Sequence, residues 1–190
     1  MNVPPQASGH LPWPQWAYVP GDAAGLDADY VTLDLAKALV PPAFRGYVPA
    51  RHPALRYGLA LNDRGYFWES QEVLEAVWAA APQGGRERIL LRACIQIANA
   101  NLRLRMQKAH SAARLFGDAL AELRALTSRK AAPAALAELR ALTSRKAAPA
   151  GDGFVESFPI PALTALLQAK LGRPQLSKAD WIAISAIVRS

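Results

Sequence analysis

One stretch of the sequence restricts the possible folds more than any other: residues 86–108 are apolar on two opposite sides of a helix. The first apolar stripe comprises Ile89, Leu90, Ala93, Ile97, Ala100 and Leu104, and the second comprises Leu91, Ile95, Ala98, Leu102 and Met106. A helix with two apolar sides packs against neighbours on both of them. The sequence therefore predicts a central helix that is enclosed by other helices.

A row of polar side chains runs between these two stripes. Its members recur every three or four residues and so share one face of the helix; they are Arg88, Arg92, Gln96, Asn99 and Arg103. Polar groups that are removed from water need hydrogen-bond partners. We therefore expect this row either to face water or to meet a second polar row.

Helical periodicity also appears on both sides of the central helix. It predicts helices at about residues 30–39, 54–62, 66–80, 111–127 and 161–171. A final stretch opens with the capping pair Ser177 and Asp180 and continues as a helix or a strand. No two alternating runs joined by a hairpin turn are present. The predicted fold is all-α, a compact irregular bundle of about five to six helices.

The positions of the predicted helices, the prolines and the tandem copy divide the chain into four regions. They are an extended, proline-rich N-terminal arm with room for one short helix (residues 1–50), a helical core domain (51–130), a duplicated segment (131–150), and C-terminal helices that pack on the core (151–190). The arm carries Trp13, Trp16 and Tyr18, which are aromatic side chains with which an extended segment can dock.

The net charge of +7 comes from 22 basic and 15 acidic residues, and the excess lies in residues 101–150. Part of it reflects a tandem copy, because residues 119–134 and 135–150 have the same sequence, ALAELRALTSRKAAPA. We interpret this copy as a recent duplication, since functional repeat arrays recur at least three times and diverge. The basic stretch 103–146 leaves nucleic-acid binding as one hypothesis, although neither copy interleaves aromatic residues for base stacking.

The chain has one cysteine, Cys94, which excludes a disulfide framework and a multi-cysteine zinc site. No apolar run reaches the roughly 20 residues of a membrane span, and the N-terminus lacks the basic and apolar regions of a signal peptide. These features predict a cytoplasmic protein without a membrane partner. No motif indicates a cofactor.

The helix predicted at residues 66–80 carries the densest group of reactive side chains. Within seven residues it places Glu69, Gln71, Glu72 and Glu75. A carboxylate half-buried beside Phe67 and Trp78 would have a raised pKa, which suits acid–base catalysis. Alternatively, these carboxylates meet Arg88 or Arg92 across the short loop and form ion pairs.

Two segments of the chain resemble a known family. Residues 52–78, HPALRYGLALNDRGYFWESQEVLEAVW, and residues 95–106, IQIANANLRLRM, are similar to the helical domain-of-unknown-function family numbered 309. Members of that family carry a HExLExxW helix and an IQxAxAxL helix, and the resemblance covers about residues 45–130 and the helix near 161–171. It implies a small, soluble, helical protein whose activity is uncharacterised.

The resemblance maps the family's motif positions onto Gln71, Glu72, Glu75, Trp78, Gln96 and Ala98. The histidine of the family motif is replaced by Gln71, and glutamine is a poor metal ligand and does not shuttle protons at neutral pH. A reaction that required this histidine would be lost in this chain, whereas a hydrogen-bonding role would survive.

From these observations we expect a binding or interaction module for an unidentified small molecule or protein. Its polar pocket would lie between the helices at 66–80 and 86–108, with no metal, and would use Gln71, Glu72, Glu75, Trp78, Arg92, Gln96 and Asn99. One alternative is a hydrolase or metal-assisted enzyme with Glu72 or Glu75 as general base. The other is nucleic-acid binding through residues 103–146. The sequence leaves open whether the protein is an enzyme.

Overall fold

The computed structural model describes residues 11–22, 27–130 and 152–185. These residues form the helices α1 (Tyr30–Lys37), α2 (Pro53–Asp63), α3 (Phe67–Ala80), α4 (Arg86–Arg105), α5 (Ala109–Lys130), α6 (Phe154–Ser157) and α7 (Ile160–Leu171), and a 3-10 turn at Lys178–Asp180. Within the described ranges the only extended pairing is an isolated bridge between Pro49 and Gly153. The predicted all-α bundle is confirmed.

Helix α4 is the axis of the bundle. It packs against α3 on one side and α5 on the other, and also touches α6 and the 3-10 turn. Leu90 and Ile97 from its first apolar stripe and Leu91 and Ala98 from its second are all fully buried. The two-sided packing that the sequence predicts is therefore present, and the helix ends where Gln107 adopts a left-handed conformation with φ of 60°.

Helices α2 and α3 approach each other closely because glycine occupies the contact. A Cβ at Gly58 would lie 2.8 Å from Cδ2 of Leu74, and the Ser70 hydroxyl donates a hydrogen bond to the Gly58 carbonyl at 2.7 Å. The turn between the two helices uses Gly65, with φ of +87°, a region that glycine enters without steric cost. These contacts fix the faces that α2 and α3 present to the rest of the chain.

The N-terminal arm docks on α2 and α3 through its aromatic residues. Trp13 stacks on Tyr57 with ring centroids 5.5 Å apart, and Tyr18 meets Trp68 edge-on at 4.9 Å. The Tyr57 hydroxyl donates a hydrogen bond to the Pro12 carbonyl at 2.6 Å. The arm is thus part of the folded surface over residues 11–22.

The C-terminal segment differs from the helix that its apolar residues permit. After the 3-10 turn at Lys178–Asp180, residues 181–184 are not helical, and Ile182 and Ile184 are buried on alternate positions. Their backbone N–H groups donate to the side chains of Asn101 and Asp63, respectively. The helical option is wrong for these four residues, because α4 and α2 supply the hydrogen-bond partners that a helix would supply internally.

Several sequence predictions concern residues outside the described ranges. The second copy of the duplicated sequence, residues 135–150, is among them, whereas the first copy continues helix α5 as far as Lys130. Among the helices of the described ranges, none combines the length and the hydropathy that crossing a bilayer requires.

The central position of α4 predicts a large loss of stability when its core side chains are shortened. Ile97 is fully buried, so Ile97→Ala should lower the free energy of unfolding by about 2–5 kcal/mol. The matched control is Val31→Ala on α1, where 76% of the residue is exposed, and it should change that free energy by no more than about 0.5 kcal/mol. Urea denaturation followed by circular dichroism measures both. Equal effects of the two substitutions would contradict the central position of α4.

Candidate functional site

The acidic residues of α3 that were predicted to line a pocket already have partners among the described residues. The Gln71 amide donates to Oε1 of Glu75 at 3.0 Å on the exposed side of the helix. Glu72 forms an ion pair with Lys37 of α1, with Nζ and Oε2 2.7 Å apart. Gln71 therefore acts as a hydrogen-bond donor to a side chain one turn along its own helix.

Trp78 and Arg92, two further predicted residues, do lie together. The guanidinium of Arg88 lies 3.9 Å from the centroid of the Trp78 ring, and that of Arg92 lies 5.7 Å from it. Arg92 also pairs with Glu122 of α5 at 3.1 Å. This cluster ties α3, α4 and α5 together, and the indole Nε1 of Trp78 is buried without a partner among the described residues.

Gln96 and Asn99 complete the predicted set on α4. Both are half-buried, and Oε1 of Gln96 is buried without a hydrogen-bond partner in the described part of the chain. No hydrogen bond, ion pair or ring contact between described residues joins Gln96 or Asn99 to the acidic residues of α3. A single pocket built from all seven residues remains a prediction.

The buried carboxyl of α3 is Glu69, which the sequence placed in the acidic group but did not select. It is fully buried; Oε1 accepts a hydrogen bond from the Tyr18 N–H at 2.6 Å, and Oε2 has no partner among the described residues. Burial raises the pKa of this carboxyl above its ordinary value, although the Tyr18 N–H and the nearby charge of Arg105 oppose the shift. The arm is therefore held on α3 by a carboxyl that is costly to ionise.

Asn101 organises a buried polar network, and sequence reasoning missed it because it lies off the polar row of α4. Its Oδ1 accepts the Ile182 N–H at 2.9 Å, and its Nδ2 donates to the Ile182 carbonyl at 2.9 Å and to Oδ1 of Asn62 at 2.8 Å. The Asn62 amide donates to the same Ile182 carbonyl at 2.9 Å. Two asparagines thus satisfy both backbone groups of one residue in a segment more than 80 positions from Asn101, a spacing that carries no sequence signal.

A cleft of 690 Å³ opens between α2, the arm and α6. The apolar and aromatic part of its lining comes from Leu11, Trp13, Tyr57, Leu59, Phe154 and Phe158. The charged side chains that line it are Arg51, Arg56 and Arg64; no aspartate or glutamate is among the lining residues. All three arginines are exposed, and none forms an ion pair with a described residue. The cleft is therefore cationic.

Arg64 is positioned in the cleft by an aromatic side chain. Its guanidinium lies 4.1 Å from the centroid of the Trp13 ring, and Trp13 in turn stacks on Tyr57. Burial raises the pKa of the Tyr57 hydroxyl to about 12, so this group stays protonated and continues to donate to the arm. A guanidinium held by contact with a ring keeps its N–H groups available to an oxyanion.

The arrangement of potential metal ligands and the burial of Cys94 bear on metal binding and on cysteine reactivity. Within the described ranges, no cluster of three or more histidine, cysteine, aspartate or glutamate side chains is arranged to hold a metal ion. Cys94 is fully buried, and burial raises the pKa of its thiol. A thiol of this kind is a packing group, since the thiolate is the reactive form.

In the comparison with known proteins, a family model matches one segment of the chain. Residues 55–115 match the family model described as Domain of unknown function (DUF309), which is the family that the sequence motifs resemble. No curated protein matches the chain, and no solved structure matches it. The matched residues run from α2 into α5 and include Asn62, Glu69 and Asn101 but none of the arm or the C-terminal segment.

The asparagine network generates a prediction about the C-terminal segment. Asn101→Ala leaves the Ile182 N–H and Oδ1 of Asn62 without partners, so the free energy of unfolding should fall by about 2–4 kcal/mol. Hydrogen exchange at the Ile182 amide should accelerate as well. The control is Asn99→Ala on the same helix, which removes no hydrogen bond to a described residue and should leave that exchange rate unchanged. Similar exchange rates at the Ile182 amide in both variants would show that the side chain of Asn101 does not hold the C-terminal segment.

The buried carboxyl of Glu69 predicts a pH dependence with a defined sign. Because the folded-state pKa is raised, the folded protein binds the proton more tightly than the unfolded chain does. The stabilisation is fully present below the unfolded-state pKa and is lost as the pH rises through the folded-state pKa. Glu69→Gln should remove this loss, so the variant gains stability over the natural protein as the pH rises.

Unfolding free energies measured from about pH 4 to pH 8 test this prediction. The control is Glu75→Gln, because Glu75 is exposed on the same helix and its removal should not reproduce the effect. A pH dependence that is the same in the natural protein and in Glu69→Gln would show that Glu69 is ionised at no cost.

Proposed function

We propose that this protein, whose residues 55–115 match the DUF309 family, is a binding module that holds an organic anion in the cleft between α2 and the N-terminal arm. The observation that carries the proposal is the set of three arginines, Arg51, Arg56 and Arg64, that line the cleft without any carboxylate among the lining residues. The ligand would present a phosphate or a carboxylate to these arginines and an apolar body to the aromatic walls.

The charge arrangement favours an anion over a neutral ligand. Like charges that converge on one concave surface repel one another, and an anion relieves that repulsion while it accepts hydrogen bonds. Arginine suits this purpose because its planar fork matches the geometry of phosphate and carboxylate oxygens. Arg64 is already positioned by Trp13, so less side-chain entropy is lost when it binds.

The size and lining of the cleft support a small-molecule ligand. Its volume of 690 Å³ lies within the range of roughly 300–1,000 Å³ that is typical of such sites. Phe154 and Phe158 contribute an edge-to-face pair with centroids 5.3 Å apart, and Tyr57 contributes a further ring. An aromatic or aliphatic body packed on these rings would supply the apolar part of the binding energy.

A binding module is favoured over the enzyme hypothesis by the state of the two candidate bases. Glu72 is paired with Lys37, and Glu75 accepts a hydrogen bond from Gln71, so each has a structural partner and neither lines the cleft. The polar pocket predicted between α3 and α4 is a second candidate binding site, because the buried Oε1 of Gln96 lacks a partner among described residues.

The proposal predicts binding of a simple aromatic phosphate. Phenyl phosphate should bind the natural protein, as measured by isothermal titration calorimetry at low salt, whereas phenol should bind far more weakly. Arg56→Ala should weaken phenyl phosphate binding by at least about tenfold, since hydrogen bonds to charged groups contribute about 1.5–3 kcal/mol.

The control for net charge is Arg114→Ala. Arg114 is exposed on α5 and pairs with Asp118 at 3.4 Å, so its removal should change the affinity by less than about twofold. Absence of phenyl phosphate binding, or an equal loss of affinity in the two variants, would overturn the assignment of the cleft as an anion site.

A further inference from the structure

A second, smaller pocket of 320 Å³ adjoins the cleft. Arg64 lines both cavities. On the far side of Arg64, the smaller pocket is lined by Arg105 from the end of α4, Lys178 from the 3-10 turn, and the exposed ring of Trp181. One residue, Arg64, therefore borders both concave sites.

The smaller pocket has a surplus of positive charge, because Arg64, Arg105 and Lys178 line it. Its one acidic lining residue is Asp63. The carboxylate of Asp63 accepts hydrogen bonds from the Ile184 N–H at 2.6 Å and from the Ser185 hydroxyl, so it is committed to holding the C-terminal segment. Neither Arg105 nor Lys178 forms an ion pair with a residue in the described ranges.

Arg105 is held in place in the same manner as Arg64. Its guanidinium lies 4.7 Å from the centroid of the Phe67 ring, and a Cβ at Gly65 would lie 2.8 Å from its Nη2 atom. The absent side chain of Gly65 thus leaves the space that the guanidinium occupies. Contact with a ring does not use up the N–H donors of a guanidinium, so those of Arg105 remain available to an oxyanion.

We propose that the ligand of this protein carries two separated anionic groups, one bound in the cleft and the other bound beside Arg105 and Lys178, with Arg64 between them. This inference rests on the proposed function of the cleft and specifies its ligand class as an organic bisphosphate. Two independent anions would compete for Arg64. Two anionic groups on one molecule share it, and the second group binds at the high effective concentration that the linkage imposes.

The experiment compares thymidine 3′,5′-bisphosphate with thymidine 5′-monophosphate and thymidine 3′-monophosphate, by isothermal titration calorimetry at fixed ionic strength. The bisphosphate should bind at least about tenfold more tightly than either monophosphate. Lys178→Ala should remove most of that advantage and leave the affinity for the tighter-binding monophosphate within about twofold of the natural value. Lys178 is chosen over Arg105 because Arg105 also acts electrostatically on Glu69.

Arg114→Ala, the charge control, should preserve the advantage of the bisphosphate. A bisphosphate that binds no more tightly than the monophosphates would overturn the second subsite, as would an equal weakening of all three ligands by Lys178→Ala. In either case the cleft itself stands if Arg56→Ala still weakens the monophosphates. Failure of all three nucleotides and of phenyl phosphate to bind would overturn both the subsite and the proposed function.

Discussion

The structure depends on the satisfaction of polar groups inside a helix that is packed on two sides. Asn101 lies fully buried on α4. A buried carboxamide without hydrogen-bond partners would lower the free energy of unfolding by about as much as several ordinary hydrogen bonds raise it. It is satisfied by Asn62 of α2 and by both backbone groups of Ile182. The same hydrogen bonds hold an irregular C-terminal segment against the bundle, so the polar requirement of one helix fixes the position of a distant part of the chain.

That segment in turn shapes the cationic surface. Because Asn101 holds both backbone groups of Ile182, the 3-10 turn and Trp181 lie beside α2 and the end of α4. Lys178 there lines the same pocket as Arg64 and Arg105. Arg64 lies against Trp13, and Arg105 against Phe67. Contact with a ring orients a guanidinium without neutralising it, whereas a carboxylate partner would do both. The result is a surface with fixed cations whose hydrogen-bonding edges remain available.

The N-terminal arm completes this surface from the other side. Trp13 forms part of the wall of the cleft. The backbone of Tyr18 donates a hydrogen bond to Glu69, and the burial of this carboxyl raises its pKa and makes its ionisation unfavourable. The arm and the C-terminal segment both lie outside the residues that match the DUF309 family model. The matched helices therefore supply the framework and several of the arginines, while segments at both ends of the chain supply the remaining walls of the cavities.

The sequence by itself determined six of the seven helices of the described ranges, all except α6, and the central place of α4. Periodic apolar residues such as Leu91 and Ile97 report burial through local spacing alone, and breakers such as Pro53 and Gly65 mark where helices begin and end. The motif residues Gln71, Glu72 and Glu75 were placed correctly on one helix. Only the tertiary structure decided their partners, since Lys37 lies 35 positions from Glu72 along the chain. It alone decided the cleft, which draws Arg51, Arg64 and Phe154 from separate parts of the chain. The physical reason is that helix formation depends on neighbours within a few residues, whereas a cavity depends on how side chains distant in sequence pack together.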